Sequence, residues 1–302
     1  MISILILTLN EELNLPACLE SVKWSDDIVV LDDGSDDQTV AIAERFGARV
    51  IHHSAGGERP QREYSLRNIP FKYPWVYNPD ADEVTPPDLR DEMLAVVSDP
   101  ARAEVAYRVR FKNMFMGRWI RHSSLYPTWV VRLFRPEALL LERETNLTYR
   151  VSGATGYLQR HFLHFSFNKG FSAWFEKHNR YSSAEAREAL KVLGSSRVRE
   201  CESSKVGELE AGCNRQVTVS SGIDWRGLVA LHDPARKRKA LKALAWHLPC
   251  RASLVFCYLY FFRMGFLDGV AGWRYCRMRA IYEYMIDLKV LELRRREKGL
   301  PV

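Results

Sequence analysis

None of the six cysteines (Cys18, Cys201, Cys213, Cys250, Cys257, Cys276) forms a C-x-x-C pair or falls at zinc-ligand spacing. This argues against a disulfide framework or a zinc finger and points to reduced thiols in a reducing compartment, the cytoplasm. The sequence has no internal repeat. Its apolar run ASLVFCYLYFF, residues 252 to 262, is flanked by Arg251 and Arg263. As a helix it would extend about 16 Å, roughly half the hydrocarbon thickness of a bilayer, so it is expected not to span. The apolar start MISILILTL has no basic segment before it and no small-residue cleavage site after it, and it runs into Asn10, Glu11 and Glu12. It reads as a strand rather than a signal peptide. With 47% hydrophobic and 27% charged residues over 302 positions, the composition is globular and sufficient for one or two domains.

Charge is unevenly divided. Residues 236 to 302 hold 15 Lys and Arg against 5 Asp and Glu, a balance of +10, and the rest of the chain holds 29 against 32, or −3. The basic quarter therefore calls for an anionic partner, either nucleic acid or an anionic membrane surface.

Up to about residue 135, short β-rich runs (ISILILTL, DDIVVLDD, ARVIHH, WVYNPD) alternate with stretches of helical spacing (ELNLPACLESV, DQTVAIAERFG, DLRDEMLAVV). Apolar strands alternating with helices predict an α/β fold with a mostly parallel sheet covered on both faces, whose ligand site lies beyond the carboxyl ends of the strands. VAYRVRF, TWVVRLF and GYLQRHFLHFSF add half-buried strands, and a helix is expected from near Phe171. Residues 194 to 233 show no period and read as a loop-rich connection.

Three acidic loops fall at the ends of successive predicted strands: TLNEE (8 to 12), LDDGSDDQT (31 to 39) and NPDADE (78 to 83). Crowded carboxylates raise the cost of ionising one another, and a bound cation would remove that cost. Gly34 permits a tight turn, and Asp36 or Asp37 is placed to cap the helix beginning near Gln38. Asp32 and Asp33, at the mouth of a buried sheet, need hydrogen-bond donors, which a nucleobase N–H and a ribose hydroxyl would supply.

TLNEE, DDGSDDQT, a basic stretch ending in QRE, and NPDADE resemble, in order and spacing, the nucleotide-sugar half of inverting family 2 glycosyltransferases of the GT-A fold. LHFSF (163 to 167) and WFEKHNRY (174 to 181) are similar to elements of the subgroup that elongates lipopolysaccharide cores and other lipid-linked glycans, and GFLDGVAG (265 to 272) looks like its corresponding C-terminal element. The resemblance implies that Thr8, Asn10 and Glu12 border the nucleotide and that Asp33 accepts the base N–H. Gln61 and Arg62 would lie near the diphosphate, although Glu63 replaces an expected asparagine. Asp80 would face the ribose and the metal. Asp82 would ligate Mg²⁺ or Mn²⁺, with His164 completing the shell. UDP is the expected nucleotide of the sugar donor. A carboxylate base must take the proton of the attacking acceptor hydroxyl, and LLERETNL offers Glu144, with Glu142 as the alternative.

The expected organisation is a GT-A domain over 1–193, a connection over 194–235 and a basic, aromatic, helical membrane-associating region over 236–302. That region would lie in the plane of the cytoplasmic face of the inner membrane, giving access to a lipid-linked saccharide acceptor. Two other function classes are a nucleotide-sugar-binding pseudoenzyme or scaffold, and a nucleic-acid-binding protein. The second leaves the acidic strand ends unexplained.

Overall fold

A computed structural model describes residues 1–54, 56, 58–142, 148–205 and 250–302. The predicted alternation is realised as β1 (Ser3–Thr8), α1 (Leu15–Val22), β2 (Ile28–Asp32), α2 (Thr39–Arg45), β3 (Arg49–His52), α3 (Glu58–Asn68), β4 (Val76–Tyr77), β5 (Glu83–Val84) and α4 (Pro87–Ser98), of which α3 and β5 lie outside the predicted runs. In β1, Ile4 and Ile6 pack on one face with Leu15 and Leu19 of α1, while Leu5 packs on the other with Val29, Leu31 and Ile69. An apolar run buried on both faces is the signature of a covered parallel strand. Leu15, Cys18, Leu19 and Val22 of α1 are all buried, at the spacing of one helical face.

The second half of the sheet is mixed rather than parallel. It uses β6 (Glu104–Phe115), β7 (Arg118–Trp119), β8 (Trp129–Phe134) and β11 (Ala154–His164), while β9 (Leu139–Glu142) and β10 (Thr148–Val151) form a separate antiparallel pair. The main order is β3-β2-β1-β4-β8-β6-β11-β5, with β7 on β6. Strand β8 is antiparallel to both β4 and β6, and so carries Arg132 to the end of β4. The register pairs Thr8 with Asp32 and Asp32 with His52, and Leu7 bridges Asp80, so the three acidic loops share one edge. Flanking helices on a mostly parallel, partly mixed sheet give the expected GT-A arrangement.

Helix α5 (Gly170–Lys205) begins where expected but continues through 194–205, where a loop was expected. That stretch has no proline, and its Arg, Glu and Lys are good helix formers, so backbone hydrogen bonding extends without an apolar period to announce it. The remaining C-terminal elements are α6 (Arg251–Cys257), a π-type turn Tyr258–Phe262, a 3₁₀ turn Gly265–Asp268 and α7 (Gly269–Glu297).

Two compact units result. One comprises Met1–Trp174 with Arg263–Tyr275, the other Phe175–Phe262 with Cys276–Val302, a division different from that expected at 193 and 236. In the first unit, buried Asp268 accepts the backbone N–H groups of Arg121 (3.1 Å), His122 (2.9 Å) and Ser123 (2.8 Å) and the Ser123 hydroxyl (2.7 Å). A Cβ on Gly272 would stand 2.1 Å from the Gly265 carbonyl oxygen, so only glycine lets α7 fold back on this turn. Tyr275 adds ring contacts with Phe115 and Phe167. In the second unit, Ala186 and Ala189 of α5 pack with Ile286 and Val290 of α7, and Lys289 Nζ reaches Asn179 Oδ1 at 2.6 Å.

Asp268→Ala would leave three backbone donors without their acceptor, a loss of about 3 kcal/mol, with Asp268→Asn intermediate. Denaturant unfolding followed by tryptophan fluorescence measures this, and an unchanged midpoint for the alanine variant would show that the latch contributes nothing.

Candidate active site

Asp32, 1% exposed, finds its donors within the chain. Its Oδ1 accepts the Thr8 hydroxyl (2.9 Å) and its Oδ2 accepts the N–H groups of Gly34 (3.0 Å) and Ser35 (2.8 Å). Gly34, at φ +92°, makes that turn possible. Asp32 therefore shapes the loop, and buried Thr8 is tied to that loop through it. Asn10 and Glu12 are exposed but also tie loop to loop. Asn10 Oδ1 accepts Asp36 N–H at 2.9 Å, and Glu12 Oε2 accepts Gln38 N–H at 3.1 Å. Neither Asp36 nor Asp37 is the N-cap of α2, which is Gln38 with no side-chain cap bond; Asp37, one residue earlier, accepts Thr39 N–H at 2.9 Å. Burial opposes its ionisation, but the Thr39 hydroxyl and amide and the Glu12 amide hold its carboxyl below the usual range. Half-buried Asp33 follows β2 in the loop these contacts hold.

The carboxylates after β4 are neutralised chiefly by a residue the sequence reading missed. Arg132, on β8 and 8% exposed, ion-pairs with both Asp80 and Glu83. Arg62 approaches Asp80 Oδ1 at 3.5 Å and also donates to Asn78 Oδ1 (3.3 Å) and the Tyr149 hydroxyl (2.9 Å). Burial works against the Asp80 charge, but Arg132 and then Arg62 outweigh it and hold Asp80 well below the usual carboxylate range. Glu83, 1% exposed, is pushed up to about 8 by burial, with Arg132 opposing and Asp80 adding to the shift. Two guanidiniums thus supply positive charge beside Asp80, whose side chain stays partly exposed. No signal local to NPDADE names Arg132, because its placement depends on β8 pairing with β4. Gln61 is buried, its Nε2 donating to Leu31 O at 3.2 Å.

Asp82 and His164 do come together. His164 Nε2 stands 3.4 Å from Asp82 Oδ2, and Nδ1 lies 2.9 Å from Asn113 Oδ1. A proton on Nδ1, shared with Asn113, turns the Nε2 lone pair toward the carboxylate, as for a pair sharing a cation. Burial lowers the imidazole pKa, yet Asp82 and then Glu83 and Asp80 raise it overall. Among the described residues, no group of three or more His, Cys, Asp or Glu could hold a metal ion alone. The two-ligand set nevertheless fits Mg²⁺ or Mn²⁺, which take their remaining oxygens from phosphates and water. Glu144 lies outside the described residues, as does the side chain of Glu142.

The family profile "Glycosyl transferase family 2" matches residues 3–165, more than half of the chain. The chain belongs to glycosyl transferase family 2. Among relatives of this family 2 chain, an uncharacterized glycosyltransferase of Rickettsia typhi is 33% identical over 118 residues, 38% of this chain and 40% of that protein. The lipopolysaccharide core biosynthesis glycosyltransferase LpsC of Rhizobium meliloti is 32% identical over 139 residues, 44% of this chain and 50% of that protein. These matches span half or less of either relative's length. A solved structure of glucosyl-3-phosphoglycerate synthase from Mycobacterium tuberculosis, in complex with Mn²⁺, UDP and glucosyl-3-phosphoglycerate, covers 46% of this chain and 58% of its own at 21% identity. Its TM-score of 0.35 is too low to carry weight.

Arg132→Gln would remove the main counter-charge of part-buried Asp80 and the hydrogen-bond partner of buried Glu83, a cost of about 1–3 kcal/mol near neutral pH. Because Arg132 holds Asp80 down in the fold, that stabilisation is present above the unfolded-state carboxylate range and lost as pH falls through the folded value. The penalty should therefore shrink on acidification. Denaturant unfolding of both proteins at about pH 7 and about pH 4 measures it, and a penalty equal at both would contradict this assignment.

Proposed function

We propose that this protein is an inverting glycosyltransferase that moves a sugar from a nucleoside-diphosphate donor, a UDP-sugar, to a hydroxyl of a lipid-linked saccharide. The observation that carries the reading is the Asp82–His164 pair in a family 2 chain, beside Asp80 held by Arg62 and Arg132. Asp82 and His164 would hold Mg²⁺ or Mn²⁺. When bound, such an ion would neutralise charge on the diphosphate leaving group. Arg62 stands beside Asp80 as a fixed positive charge for diphosphate oxygens. Thr8 and Asp32 hold the loop that carries Asp33, whose carboxylate would accept the base N–H; Asn10 and Glu12 brace the same rim. Glu144, or in its place Glu142, would take the acceptor proton on the far side of the sugar. The LpsC relative supports cell-envelope glycan synthesis as the setting.

We place the protein at the cytoplasmic face of the inner membrane, on an anionic surface. Among the described residues no single helix is long and apolar enough to cross a membrane, although Arg251–Phe262 and Gly265–Glu297 together have the length and composition of a broken span. Leu254, Tyr258, Phe261 and Phe262 are exposed in the second unit, Phe262 to 81%, and Met264, Phe266, Leu267 and Val270 in the first. Arg263, Arg274 and Arg277 lie in the same stretch of chain, so apolar burial and charge attraction would act together.

Asp82→Asn removes the charge at nearly constant volume. Divalent-dependent binding of nucleotide sugars, compared across UDP, GDP, CDP and dTDP forms by calorimetry, should collapse while the melting temperature holds or rises. Normal turnover by the variant, or indifference of the parent to EDTA, would sink the metal assignment. Separately, full-length protein should sediment with phosphatidylglycerol vesicles at low salt, be only partly released by high salt, and sediment less after Phe262→Asp with Leu267→Asp. Protein that stays in the supernatant at low salt would refute the membrane placement.

A further inference from the structure

Three cations of the first unit rest on aromatic rings instead of carboxylates. The Arg110 guanidinium stands 5.9 Å from the ring centre of Tyr126 and 5.6 Å from that of Trp129. Lys112 Nζ lies 4.6 Å over Trp119, and the Arg121 guanidinium 5.6 Å over the same ring. Trp119 and Tyr126 meet edge to face at 5.0 Å, which joins the six side chains into one platform. Among the described residues none of these three cations is ion-paired. Two buried donor atoms in the platform, Arg110 Nε and Trp119 Nε1, have no hydrogen-bond partner there.

A half-buried cation facing rings recovers only part of what a counter-anion would return. The ligand that completes the platform must bring negative charge, hydrogen-bond acceptors and an apolar face for the rings. A pyranose bearing an anionic group has all three, because its C–H face stacks on aromatic rings while its rim oxygens accept hydrogen bonds. Three cations exceed the single charge of a carboxylate and are more nearly offset by the charge of about −1.5 to −2 on a phosphate monoester. Arg110 and Lys112 lie on β6 just before Asn113, whose side chain holds His164, and Ile120 N–H returns to Asn113 O at 3.0 Å. The platform is thus built onto the strand that supports the Asp82–His164 pair, on the face opposite Asn113.

We propose that Arg110, Lys112, Trp119, Arg121, Tyr126 and Trp129 form a subsite for a phosphorylated sugar residue of the acceptor saccharide. This rests on the glycosyltransferase reading and adds to it the charge of the acceptor. The test is calorimetric titration of the full chain with glucose 6-phosphate, glucuronic acid, glucose and inorganic phosphate, with UDP plus Mn²⁺ titrated separately. Glucose 6-phosphate should bind most tightly. Its affinity should fall at least about tenfold in Arg110→Gln/Lys112→Gln and in the exposed-site variant Arg121→Gln, with UDP binding unchanged in both. Glucuronic acid binding as tightly as glucose 6-phosphate overturns the phosphate assignment. Inorganic phosphate binding as tightly removes the role of the rings. Unaltered glucose 6-phosphate binding in folded Arg121→Gln, judged by its melting curve, overturns the subsite. If UDP binds the parent but no saccharide does, this inference fails and the glycosyltransferase reading stands; if neither UDP nor any of the other nucleotides binds, that reading itself fails.

Discussion

Arg132 determines how three acidic side chains coexist at the end of β4. Glu83 is buried and Asp80 partly so, and Arg132 ion-pairs with both. A single guanidinium reaches both because β8 lies antiparallel against β4. With Asp80 and Glu83 engaged on that side, Asp82 is the carboxylate that meets His164. The pairing thus separates one acidic cluster into a part engaged with Arg132 and a part engaged with His164.

The rim around that cluster is braced in the same manner. Thr8, Asn10 and Glu12 from the first acidic loop hydrogen-bond to Asp32, Asp36 and Gln38 of the second, and Gln61 reaches back to Leu31. Most of these are side chain to backbone contacts, which satisfy loop amides that no strand or helix can serve. A polar rim held this way is preorganised, so a ligand entering it would have fewer loops to order.

The C-terminal element GFLDGVAG combines opposite chemistries. Asp268 anchors it through three backbone amides and a hydroxyl, whereas Phe266, Leu267 and Val270 within it remain exposed. Secure anchoring allows the apolar side chains to stay outside without the segment collapsing onto the core. Exposed apolar surface of this kind marks an interaction site when it is contiguous.

Local sequence pattern determined β1 to β4 and helices α1, α2 and α4, because an apolar run buried on both faces and an amphipathic helix each leave a periodic mark; α3 and the two-residue β5 left none. It also determined that three acidic loops would share one edge, since a parallel sheet places successive strand ends together. The Asp82–His164 pair could be anticipated from the resemblance to family 2 glycosyltransferases. What only the tertiary structure decided depends on contacts distant along the chain. Arg132 lies 52 residues from Asp80 and Asp268 lies 145 from Ser123, and neither bears a local signature of its partner. The same holds for Thr8, Asn10, Glu12 and Gln61: the sequence shows polar groups at the rim, but whether each faces a ligand or a neighbouring loop depends on which donor the fold brings within 3 Å or so.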